Sequence, residues 1–128
     1  MAKKKFVPTP VSRAESTPFD SAEEAWFWYV RCQVARNDGA RFVANSGLFV
    51  RPCEPDDIFC AVMQLIRSRK ISRQHLRVLM AYGLREAPPD PRCGEEAAHA
   101  ALWDLALDRL TTRLRAKGIV APPAADAP

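Results

Sequence analysis

The stretch 54–83, EPDDIFCAVMQLIRSRKISRQHLRVLMAYG, constrains this chain more than any other, because two helical patterns meet there at a corner. Pro55 followed by Asp56 and Asp57 makes a good first turn, since proline's missing N–H costs nothing there and carboxylates favour the positive dipole end. Ile58, Val62, Leu65 and Ile66 then recur at helical spacing. The rhythm breaks at Ser68-Arg69-Lys70. Ser72 or a neighbour caps a second helix with Leu76, Leu79 and Met80 as its apolar stripe. From Ile58 to Arg85 the only charged side chains are basic: Arg67, Arg69, Lys70, Arg73, Arg77 and Arg85, with no Asp or Glu among them. A buried face and a face of one sign are thus written into the same stretch.

A chain of 128 residues has room for one domain with tails, because two separate cores would each be very small. The net charge of +4 permits a polyanionic partner without demanding one. Its distribution says more, with acids mostly near helix starts and bases concentrated in 67–85 and 109–117. No run of about 18 apolar residues offers a membrane span. The basic start has no apolar stretch behind it, against a secretory signal. Cys32, Cys53, Cys60 and Cys93 form no C-x-x-C, so they read as reduced thiols and the cytoplasm is the expected location.

Residues 1–18, with Lys3-Lys4-Lys5 and three prolines, read as a flexible basic tail; 19–120 read as one helical domain; 121–128 read as a disordered Pro/Ala tail. The expected fold is mainly α, a compact bundle of about four helices near 21–37, 55–68, 72–83 and 95–117. A short β-hairpin at 41–50 is the one β expectation, from two apolar pieces around Asn45-Ser46-Gly47. The first helix starts at a capping box, either Asp20-x-x-Glu23 or Ser21-x-x-Glu24, and stops at Asn37-Asp38-Gly39. Gly83 reads as the close of the third helix, and the prolines of 88–91 as a stiff connection. In the last helix Trp103, Leu107, Leu110 and Leu114 form the buried stripe; Gly118 is its cap and Ile119 folds back on Leu114.

Trp26-Phe27-Trp28-Tyr29 step about 100° each around a helix, so one face cannot bury all four. Either other elements surround this helix or some rings wait on the surface for a partner. The flanking residues put Phe27 and Val30 in the core and make Trp28 the most exposed ring. Trp26, Trp28 and Tyr29 are the candidate partner-binding residues.

Zinc is not expected: the spacings Cys53-x6-Cys60 and Cys93-x5-His99 lack the close ligand pairs of structural sites, and Cys32 and Cys60 fall within apolar helical patterns. No catalytic set is expected either, since nothing supplies a matched nucleophile and base or a glycine-rich phosphate loop. No cofactor is implied. Arg67, Arg69, Lys70, Arg73, Arg77, Arg109 and Arg113 are the candidate nucleic-acid-binding residues, with duplex phosphates as their target. Two functions follow: a small DNA-binding or transcription-associated regulator, or a protein-interaction adaptor docking through its aromatic helix.

ISRQHLRVLMAYGL followed by ALDRLTTRLR resembles the frame of sigma-70-type region 4, which late antiterminators and small phage-type regulators share. The likeness covers about 71–115 and implies a helix-turn-helix with the last helix in the recognition position. Here the interval between the two pieces is proline-rich, and the early exposed residues of that helix would be Glu95, Glu96, His99 and Asp104. SAEEAWFW, RPCEPDDI, PPDPR, LWDLALDRL and the KGIV end are similar to stretches of small alphaproteobacterial proteins, a likeness over 17–120 that implies a single bacterial domain.

Overall fold

The computed structural model describes residues 16–39 and 50–123. Four helices account for most of them: α1 (Ala22–Asn37), α2 (Pro55–Arg67), α3 (Arg73–Arg85) and α4 (Ala97–Ala116). No strand occurs among the described residues. The hairpin expected at 41–50 lies outside them except for Val50, whose carbonyl accepts from the Thr17 N–H at 2.6 Å.

α1 is the hub. It packs on α2, α3 and α4, and α4 likewise packs on the other three, while α2 and α3 scarcely touch. This central position resolves the aromatic quartet. Trp26 is fully buried, its indole N–H donating to the Leu79 carbonyl at 2.7 Å, and Tyr29 is buried beside it and stacks on Phe59 of α2. Phe27 and Trp28 are half-buried, against Trp103 and Phe19 respectively. The expectation that Phe27 would lie in the core with Val30 is therefore corrected: Trp26 and Tyr29 take that place. Neighbours on three sides, rather than one apolar floor, are the reason.

The caps explain where each helix begins. Ser21 wins over Asp20 as the cap of α1, its hydroxyl accepting from the Glu24 N–H, while Glu24 reaches back to the Asp20 N–H at 2.8 Å. At α2 the Glu54 N–H donates to Asp57 at 2.8 Å, and at α3 the Ser72 N–H donates to Nδ1 of His75 at 3.0 Å. These reciprocal bonds satisfy amides that the first turn leaves without partners.

Every helix is followed by a residue in the left-handed region: Gly39 (φ 79°), Arg69 (φ 63°), Glu86 (φ 63°) and Gly118 (φ 77°). After α2, the Lys70 N–H reaches the Leu65 carbonyl and the Arg69 N–H that of Ile66, the bond pair of a Schellman stop. The same pattern closes α4, where the Ile119 N–H donates to Leu114 and both side chains are buried.

Gly83 does not end α3, which runs on to Arg85. Its role is close approach. A Cβ there would lie 2.8 Å from Cγ2 of Val30 and 2.9 Å from Nε1 of Trp26. Glycine is what lets α1 and α3 meet closely enough for the indole to reach Leu79.

The core joins Ile58, Val62 and Leu65 of α2, Val78, Leu79 and Tyr82 of α3, and Trp103, Leu110 and Leu114 of α4. Leu107 is only half-buried and Ala106 takes the inward position, while Leu76, Met80 and Ile66 flank the core instead of filling it. Phe19 and Val120 close one end in a short parallel pairing: the Phe19 N–H donates to Ile119, and the Ala121 N–H donates to Phe19. No described helix is long and apolar enough to cross a membrane.

Candidate nucleic-acid interface

The tight stop of α2 throws Arg69 and Lys70 outward at the corner while Ile71 is buried beneath. Ser68 reinforces the corner, its hydroxyl donating to the Gln64 carbonyl at 2.9 Å. Because α4 packs along α2, the corner cations come to face Arg109 and Arg113 across a groove of about 620 Å³. Leu65, Thr112 and Ala116 form the rest of its wall. Among the described residues no acidic side chain lines it.

The four cations differ in their state. Arg113, half-buried, directs Nε and Nη2 to the Gln64 amide oxygen at 3.0 and 2.6 Å, which fixes the guanidinium without neutralising it. Arg109 lies 3.3 Å from the Asp108 carboxylate, so part of its charge is cancelled. Arg69 and Lys70 are exposed and form no ion pair among the described residues. Arg67, Arg73 and Arg77 are also exposed and without an ion pair there, but they stand outside the groove wall. The structure thus brings four of the seven sequence candidates together. Gln64 and Thr112 are the site residues that sequence reading missed, since neither carries a charge and only the α2–α4 crossing places them.

Of the three partner-binding candidates, Trp26 is enclosed in the core, and Tyr29 is buried but borders a surface hollow with Phe59, Leu76 and Met80. Trp28 is half-buried against Phe19. Cys60 is exposed, not one of the apolar core residues it was grouped with, whereas Cys32 is buried. Burial pushes the Cys32 thiol up to about 11 and Cys53 up to about 12, so neither is a thiolate at neutral pH. Among the described residues no group of His, Cys, Asp and Glu is placed to hold a metal ion.

The start of α4 is tied into the fold. Glu96 takes both Arg85 Nη1 at 2.8 Å and the Asp90 N–H at 2.7 Å, and Tyr82 Oη lies 2.8 Å from Nδ1 of His99. Glu95, His99 and Asp104 are exposed there. Anionic and engaged, this turn is poorly suited to reading bases in a groove. Comparison of the chain with family models, with curated proteins and with solved structures returns no match.

Proposed function

We propose that this protein binds nucleic-acid phosphates through the groove between the α2–α3 corner and α4, as a small DNA-associated regulator. The observation that carries the reading is the convergence of Arg69, Lys70, Arg109 and Arg113, from two segments distant in sequence, on one groove that no described acidic side chain lines. Phosphate oxygens are the fitting ligand, since guanidinium forks and an ammonium offer several donors to a polyanion. Binding of this kind positions a protein on a duplex and carries little sequence preference. Arg67, Arg73 and Arg77 extend the positive surface beyond the groove. Arg67, Arg69 and Lys70 also complement the negative C-terminal end of α2, and Arg113 that of α4, so the decisive measurement must be binding itself.

Fluorescence anisotropy with duplex DNA at two salt concentrations provides it. The wild-type chain binds unrelated duplexes with similar affinity and loses affinity steeply as salt rises. Arg69→Gly combined with Lys70→Ala keeps the left-handed corner and removes two contacts. The slope of log K against log salt then falls by roughly 1.8 units. Absence of binding at low salt, or an unchanged slope, overturns the proposal. An equal loss from the pair Arg73→Ala and Arg77→Ala, with the groove pair silent, would move the contact onto the outer face of α3.

A further inference from the structure

The described residues leave only Val34 (40%), Leu84 (58%) and Leu105 (39%) exposed among the large hydrophobics. Two of these three share one hollow, of about 580 Å³, between the C-terminal halves of α1 and α3. Arg31, Asp38 and Glu86 stand around it, all exposed, and none forms an ion pair with a described residue. An apolar patch ringed by unused charges of both signs is the composition of an interface, with an apolar centre and a polar rim.

We infer that a second copy of this chain docks on this face, α1 against α1 in antiparallel fashion about a two-fold axis. The register follows from the numbering. Arg31, Val34, Ala35 and Asp38 fall within about 100° of one another on the helix, opposite its buried face. In a two-fold antiparallel pair, residues equidistant from the axis face each other across the interface. The midpoint of 31 and 38 falls between 34 and 35. An axis there sets Arg31 of each copy opposite Asp38 of the other, and Val34 opposite Ala35. Both ion pairs and the apolar contact close at once, from one patch meeting itself. Leu84 stands beside the seam and covers it from α3, with Glu86 adding a second carboxylate near each Arg31.

The seam consists of a few side chains from each copy, so association is weak, with a dissociation constant of roughly 1–100 µM. Sedimentation velocity on the full chain from about 1 to 300 µM spans that range, and the wild type shifts from monomer to dimer across it. Leu84→Asp alters an exposed position, keeps the helical circular dichroism of the wild type, and remains monomeric. Arg31→Asp and Asp38→Arg each place like charges across the seam, so each alone is monomeric. Mixed in equal amounts they associate, because every pair is then complementary. A wild type that stays monomeric throughout overturns the inference. So do charge variants that dimerise like the wild type, and so does a mixture that stays monomeric.

Discussion

Gly83→Ala sets two rules of helix energetics against each other. In an exposed helix interior the change stabilises by about 1 kcal/mol, because alanine has the higher helix propensity. At this position the new methyl meets Val30 and Trp26 at 2.8 and 2.9 Å. Those two residues lie one turn apart on α1, so turning one side chain away leaves the other overlap in place. Displacing α1 against a packed core costs about 1–3 kcal/mol. Stretching the buried indole bond to Leu79 costs about 1–3 kcal/mol more. Subtracting the propensity gain leaves a net loss of about 1–5 kcal/mol, centred near 3. Urea unfolding followed by tryptophan fluorescence reads this directly, as a lower midpoint at unchanged slope. Ala81→Gly, at an exposed site on the same helix, serves as the control and costs about 1 kcal/mol through propensity alone. A Gly83→Ala protein as stable as the wild type, or more so, would refute the claim that glycine sets the α1–α3 distance.

Other expectations follow from the same physics. Arg69→Gly relieves a left-handed residue worth about 1–2 kcal/mol and loses about 0.5–1 kcal/mol to unfolded-chain entropy. It should therefore raise stability by about 0–1.5 kcal/mol in denaturant melts while weakening DNA binding. Leu110→Ala empties a fully buried position and should cost about 2–5 kcal/mol, whereas Leu107→Ala, half-buried, should cost clearly less. The hydrogen bond from Arg85, assisted by the Asp90 N–H, holds the Glu96 carboxyl at about 2, below its ordinary 4.5. A depressed carboxyl stabilises the fold fully above about pH 4.5 and loses that contribution as pH falls toward 2. Melting temperatures of wild type and Glu96→Gln should accordingly differ at pH 6 and converge near pH 2.

Much of the fold was legible in the sequence because helix ends have a local chemistry. Ser21 with Glu24, Pro55 with its acids, and the glycines at 39 and 118 each announced a start or a stop that the structure contains. The break in apolar rhythm announced the stop after α2 but not its left-handed Arg69, and the stop at Glu86 was missed altogether, since no local rule favours a charged residue in the left-handed region. Gly83 was misread for the opposite reason: glycine looks like a terminator until the neighbouring helix is known to press on it. The inward turn of Trp26 and the exchange of Leu107 for Ala106 share that origin, because small residues go inward where helices cross closely and hydropathy does not register the distance. At the candidate site, the cations were legible from their single sign between 58 and 85. Their meeting with Arg109 and Arg113 was not, as it depends on α4 crossing α2.

The pairing of Phe19 with Val120 carries a consequence for the order of folding. The two residues lie near opposite ends of the described chain, so this contact has a long loop to close. It gains nothing until the four helices between have docked, which places it after the rate-limiting step. Val120, fully buried, is then a late reporter. Its truncation to alanine should leave the refolding rate almost unchanged and fall on the unfolding rate, a φ-value near zero. The clasp would thus govern how long the folded bundle lasts and have little influence on how fast it forms.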